Sequence, residues 1–216
     1  FTTDGEILSA NDNFLSAMGY SENEVVGKHH RIFVDSNYAQ RDDYKVFWQK
    51  LKSGDVHSGE FCRINKQGEE VWIQATYNPV FDDDGKVDYI IKFASDITAR
   101  KQKNADYEGQ ITAINKSQAV IEFDLEGTVL NANENFLAAM GYSLSEIKGH
   151  HHSIFVDPSY KLSAEYAAFW QSLKAGDHSE GEYKRIAKGG REIWLRASYN
   201  PIFDSSGKPF KVVKFA

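Results

Sequence analysis

Met18-Gly19-Tyr20-Ser21-Glu22-Asn23-Glu24-Val25-Val26-Gly27-Lys28-His29-His30-Arg31-Ile32-Phe33-Val34-Asp35 returns further along the chain as Met140-Gly141-Tyr142-Ser143-Leu144-Ser145-Glu146-Ile147-Lys148-Gly149-His150-His151-His152-Ser153-Ile154-Phe155-Val156-Asp157. The register never slips: Phe1 answers Phe123, Asn11 answers Asn133, Trp48 answers Trp170 and Ala94 answers Ala216. Roughly half of the paired positions are identical, so the chain holds two copies of one small domain rather than a solenoid of short repeats. Within this stretch Ser21 and Ser143 each precede a Glu three positions on, a capping-box pattern that opens a helix. Gly27 and Gly149 close it.

Working outward, Phe1 to Ala10 predicts two short strands about Asp4-Gly5, repeated by Phe123 to Ala132 about Glu126-Gly127. Asn11 and Asn133 stand at helix N-cap positions ahead of Phe14, Leu15 and Met18 and their counterparts. Beyond the histidines, one long helix is predicted over Ala39 to Lys52 and again over Leu162 to Lys174, with Tyr44, Phe47, Trp48 and Leu51 on its buried stripe. Three strands follow in the first copy, Glu60 to Lys66, Glu70 to Asn78 and Val87 to Ala94, joined by turn-rich segments that favour an antiparallel meander. Alternation puts Val71, Ile73, Ala75 and Tyr77 on the face that meets the helices. Trp72 and Trp194 fall on the opposite face, where an indole stays exposed unless another segment docks on it.

The bulk composition narrows the function. With 216 residues, 41% hydrophobic and 13% aromatic, two cores can be built. A net charge of -6 offers no basic stripe, which argues against nucleic acid as a partner. The one cysteine, Cys62, faces Lys184 across the repeat, so neither an internal disulfide nor a paired metal motif is expected, and a cytoplasmic setting fits. No apolar run has the length of a membrane span, and the first residues lack signal-peptide character. Phe1 corresponds to the end of the apolar stretch Val120 to Phe123, and the second copy stops short of a counterpart to Ser95-Asp96-Ile97-Thr98. The expectation is therefore an excised pair of domains whose output module lies elsewhere. The domain boundaries expected are residues 1–98, a helical linker at 99–119, and residues 120–216.

The order Gly-Tyr-Ser, Glu-x-x-Gly, Phe-Trp-x-x-Leu-x-x-Gly, Tyr-Asn-Pro, Asp-x-x-Gly-Lys and Asp-Ile-Thr resembles the PAS domain over essentially all of both copies. More narrowly it is similar to the tandem PAS sensors of soluble methyl-accepting chemotaxis proteins and to the aerotaxis receptors. The resemblance implies an α+β fold: in each copy a five-stranded antiparallel sheet with short helices on one face, and a helical linker between the copies. It also implies a sensory input module reporting redox, oxygen or energy state, or a small ligand, to a C-terminal kinase-control domain, with no enzymatic activity of its own. Asp96, Ile97 and Thr98, with Trp72 and Trp194, become the candidate relay residues. No P-loop, nucleophile elbow or HExxH motif supports an enzyme.

The cofactor question rests on a few positions. Where light-sensing PAS domains carry a reactive cysteine, His30 stands here, which removes a thiol-adduct photocycle. The resemblance to aerotaxis receptors points to FAD near Asn11, His30 and Trp48 and their counterparts Asn133, His152 and Trp170, although the family's Arg-His-Pro is replaced by Val34-Asp35-Ser36. Haem is the alternative, with His29, His30, His151 or His152 as axial ligand. An empty pocket in a scaffold that forms homodimers is the third reading. His150-His151-His152 is no metal site, because consecutive side chains diverge. The segment from Asp96 to Gln118 predicts a helix whose seam runs through Ile97, Tyr107, Ile111 and Ile114. It either docks on the second domain or pairs with a second copy.

Overall fold

In the computed structural model, which describes residues 1–216, the chain divides into two compact units, Phe1–Tyr107 and Glu108–Ala216. In the first unit short helices α1 (Asp12–Met18), α2 (Glu22–Val25) and α3 (Ser36–Gln40) precede α4 (Asp42–Lys52). Asn11 Oδ1 accepts from the Phe14 amide to start α1, and Gly19 at φ 71° ends it, as its sequence position requires. Ser21 and Glu24 form the reciprocal capping box of α2.

The long helix expected from Ala39 is instead two helices. Arg41 is extended at φ -76°, ψ 154°, while Asp35 Oδ1 caps α3 by accepting from the amides of Asn37 and Tyr38. The second copy breaks at the same place, where Ser163 Oγ accepts from the Tyr166 amide and starts a new helix. At the restart Ser163 supplies a side-chain cap, whereas Arg41 in the first copy breaks the helix by its extended backbone without one.

Strands β1 (His57–Ile64), β2 (Glu70–Phe81) and β3 (Val87–Asp96) form an antiparallel sheet in that order. The strands expected between Phe1 and Ala10 are present only as isolated bridges, Thr2 to Tyr89 and Glu6 to His29. Phe1 exchanges two backbone hydrogen bonds with Ile90, each 2.8 Å. The stripe Tyr44, Phe47, Trp48 and Leu51 packs with Val71, Ile73, Ala75 and Tyr77 in one core.

Helix α5 (Thr98–Ser117) leads into the second unit. There β4 (Val120–Phe123) and β5 (Val129–Ala132) precede α6 (Glu134–Met140), α7 (Leu144–Ile147), α8 (Pro158–Lys161) and α9 (Ala164–Ala175). The chain then forms β6 (Ser179–Ile186), β7 (Glu192–Phe203) and β8 (Pro209–Phe215). The sheet is five-stranded and antiparallel, ordered β5-β4-β8-β7-β6, with β4 between β5 and β8. The core again gathers Trp170, Leu173, Tyr199, Phe123 and Phe155. No helix in the chain is long and apolar enough to cross a membrane.

Candidate functional site

The doubled histidines sit on a single 3-10 turn after α2, where backbone hydrogen bonds fix their opposite roles. His30 N donates to Gly5 O, which turns its imidazole into the core, and His29 Nδ1 accepts from the Arg31 amide, which keeps that ring near the surface. His30 is 0% exposed. Its Nδ1 lies 2.9 Å from the Tyr44 hydroxyl and its Nε2 lies 3.0 Å from the Tyr77 hydroxyl. Arg63 Nη2 donates to the same Tyr77 oxygen at 3.2 Å, and Arg63 Nη1 donates to Cys62 O at 2.8 Å. Because Tyr77 accepts from arginine, its own proton is best directed to Nε2, leaving Nδ1–H to donate to Tyr44.

The second unit repeats the network atom for atom. His152 lies 2.9 Å from Tyr166 and 3.1 Å from Tyr199, and Arg185 donates to Tyr199 at 2.9 Å. Burial holds both inner imidazoles well below the ordinary histidine pKa, and the neighbouring cations, Arg63 and Lys92 or Arg185 and Lys214, push the same way. The phenols move oppositely: burial raises Tyr44, Tyr166 and Tyr199 to about 12. The indole N–H beside Tyr44 opposes that rise without reaching hydrogen-bond geometry.

This arrangement sets a pH dependence. With a folded pKa below the unfolded one, the unfolded chain binds more protons once pH drops under about 6.5, so stability is present above that value and is lost below it. Unfolding free energy is expected to fall by about 1.4 kcal/mol per pH unit for each inner histidine. Urea unfolding at a pH just above and a pH one unit below that point checks it. Equal stabilities would mean that the imidazoles take up protons inside the fold.

Trp48 and Trp170 are wedges. Phe1, His29, His30 and Phe47 surround the Trp48 ring at centroid separations of 5.4–5.8 Å. A Cβ built on Gly5 would come within 2.8 Å of the indole. Asn11, by contrast, borders an open cavity of about 860 Å³ whose wall includes Phe14, Met18, Phe33, Ile73 and Lys92. Asn133 is held differently. It accepts from Val120 N and Phe136 N and donates to Gln118 O and Asn115 O. Of the residues expected around a cofactor, the fold brings His29, His30 and Trp48 together, but around one another, and Asn11 stands apart from them.

Neither cofactor fits these residues as placed. Haem needs an unengaged imidazole nitrogen, and both nitrogens of His30 and of His152 face phenols at hydrogen-bond distance. His29 and His151 each accept a backbone amide at Nδ1, which puts the ring proton on Nε2 and leaves no lone pair there for iron. A flavin ring would need space beside Trp48, whose indole packs on Gly5 and four rings.

Of the five residues expected in the relay, Trp72, Asp96, Ile97 and Thr98 form one joint. Ile97 N donates to Trp72 O at 2.8 Å, Trp72 N donates to Thr98 Oγ1 at 2.9 Å, and Thr98 N donates to Asp96 Oδ1 at 2.8 Å. Arg100 and Lys101 both pair with Glu60, and the Lys101 ammonium lies 4.8 Å over the Trp72 ring. Trp72 is therefore half-covered by the first turn of α5, whereas Trp194 is 69% exposed. Composition and pattern left Arg63, Arg185, Lys92 and Lys214 unnoticed. The signal for all four was a cation repeated at the same position of both copies, and Lys92 and Lys214 also pair across the sheet with the inward Tyr77 and Tyr199, whereas Arg63 and Arg185 pair with Val71 and Ile193.

Comparison with known proteins follows the same division. A family described as PAS fold matches residues 7–94 and again 129–216. The Biofilm dispersion protein BdlA of Pseudomonas aeruginosa is 44% identical over all 216 residues, which span 52% of that protein. The Aerotaxis receptor of Escherichia coli is 33% identical over 79 residues, 37% of this chain and 15% of the receptor. The Oxygen sensor protein DosP of the same species is 21% identical over 204 residues, 92% of this chain and 25% of DosP. The chain spans about half the length of the first of these relatives and less of the others.

Proposed function

The chain belongs to the PAS fold family, and from that premise we propose that it is the non-catalytic sensory input of a cytoplasmic, chemoreceptor-type signalling protein. A change in the first core moves α5, which carries the signal toward the second domain and on to a C-terminal output domain. The joint at Asp96 to Lys101 is the observation that carries this reading. It ties the first turn of α5 to β1 through Glu60 and to β2 through Trp72, so a shift of either strand is felt by the helix. At the other end Asn133 and Asn135 donate to the carbonyls of Asn115, Lys116 and Gln118, which gives the helix a grip in the second unit as well. A helix held by side chains at both ends transmits displacement.

Along α5, Tyr107, Ile111 and Ile114 stay exposed at 50%, 59% and 38%, whereas Ile97, just before the helix on the same seam, is buried at 8%. This favours the pairing of two copies along the helix, and a homodimer is the assembly proposed. The similarity to an aerotaxis receptor and to an oxygen sensor supports an energy- or oxygen-related cue. The packing around His30 and Trp48 favours a small ligand over a flavin or a haem.

Hydrogen exchange on Asp96→Ala tests the relay. Loss of this cap, roughly 0.5–2 kcal/mol, is expected to speed exchange in the first turn of α5 by several-fold to about 30-fold, and to raise it at Gln118 and Ala119 as well. Faster exchange confined to the first turn would make α5 a passive spacer.

A further inference from the structure

Helix α5 runs for 20 residues and buries none of them. A lone helix of that length is marginal in water and Gly109 at its middle weakens it further, so the stripe Tyr107, Ile111 and Ile114 calls for a cover that the chain leaves off. The stripe belongs to a heptad in which Ile97, Asn104 and Ile111 take one core position and Arg100, Tyr107 and Ile114 the other. Its first turn is already engaged on the first sheet, where Ile97 is buried and Arg100 pairs with Glu60. Pairing is open from Asn104 onward, and a single asparagine at a core position is the residue that fixes register and a two-stranded state.

Charge sets the direction. Lys103 and Glu108 are exposed, and neither forms an ion pair within the chain. They stand one position too far apart for a pair on one helix, which needs a spacing of three or four. In two parallel helices in register, however, Lys103 and Glu108 hold the two positions that flank the core on opposite sides and meet across it. The Lys103 ammonium already lies 5.5 Å from the Tyr107 ring, at the edge of the seam. In an antiparallel pair each flanking position meets its own kind, so this lysine and this glutamate never face each other.

We propose that α5 selects a second copy of this chain: the two helices pair in parallel and in register from Asn104 to Ile114, Asn104 meeting Asn104 and two Lys103–Glu108 bridges closing the flanks. The inference rests on the homodimer proposed above and adds its direction, its register and the chemistry by which a like helix is preferred.

Sedimentation equilibrium of the whole chain carrying charge reversals tests it. Lys103→Glu and Glu108→Lys should each weaken the dimer by about 3- to 30-fold, two exposed pairs each being worth up to about 5-fold, and the double reversal should return to within about 3-fold of the parent. Mixed together, the two single variants should pair with each other in preference to themselves. In a Cys62→Ser background, air oxidation should link Asn104→Cys across the seam but not Lys116→Cys on the outer side of the helix, because only an antiparallel pair covering the same stripe would hold the two 104 positions roughly 15–20 Å apart. Single reversals without effect, a double reversal as weak as the single ones, or no link through Asn104→Cys would overturn the proposal. Ile111→Asp separates it from the homodimer reading, and with Ile111 59% exposed the variant is expected to fold. A dimer dissolved by Ile111→Asp but indifferent to the reversals keeps the pairing along α5 and retires the parallel register. A dimer that survives Ile111→Asp, or a chain that stays monomeric throughout, retires the helix pairing and the register together.

Discussion

Tyr199→Phe is expected to destabilise the second unit by about 2–6 kcal/mol, because one hydroxyl satisfies two buried groups, Arg185 Nη2 and His152 Nε2. Tyr199 is 0% exposed, its oxygen accepts from Arg185 Nη2 at 2.9 Å, and it lies 3.1 Å from His152 Nε2. Removing the oxygen leaves a guanidinium N–H and an imidazole nitrogen in an apolar core, each orphan costing about 1–3 kcal/mol. The substitution is nearly isosteric, so cavity formation adds little. Against a total stability on the order of 5–15 kcal/mol for a domain of this size, the loss should be visible as a separate, earlier unfolding transition. Urea unfolding read by unit-specific exchange checks it, and Tyr77→Phe should move the transition of the first unit in the same way. A change below about 0.5 kcal/mol, the level of an ordinary surface substitution, would show that the phenol is not what holds the arginine and the histidine inside.

The sequence was most legible where one residue decides a local event. Asn11 and Asn133 cap helices, Ser21 with Glu24 and Ser143 with Glu146 form capping boxes, and Gly19 and Gly141 end helices in the left-handed conformation. Alternation along β2 also told inward Tyr77 from outward Trp72. The helix breaks at Arg41 and Ser163 were hidden, because only Ser163 carries a cap residue and Arg41 is itself a good helix former. The roles of the histidines and tryptophans were less legible still. Periodicity says which face a residue shares, not whether that face lines a space or fills one. His30 meets Tyr77 across 47 positions, and only the folded register brings Arg63, Lys92 and both phenols around it.

Gly127→Ala is expected to be the other large effect, about 2–5 kcal/mol in the second unit. Gly127 lies at φ +85°, where a side chain costs roughly 1–2 kcal/mol, and an added Cβ would stand 2.9 Å from two carbons of the Trp170 indole and 2.8 Å from His151 Nε2. His152 N donates to Gly127 O, so the turn cannot retreat without pulling the inner histidine from its phenols. Overpacking of this kind adds about 1–3 kcal/mol. Trp170→Phe alone removes indole atoms and a buried N–H that has no partner, so its own cost falls at the low end for a core truncation, about 1–2 kcal/mol. The two changes together are expected to cost less than their sum by roughly 1–3 kcal/mol, since the shorter ring vacates the space that the new methyl group needs. The conformational part of the penalty remains, so the double variant stays less stable than Trp170→Phe. Simple additivity in this cycle would mean that Trp170 does not press on the turn. In that event the space beside the indole would be open, and the case against a planar cofactor there would lose its main support.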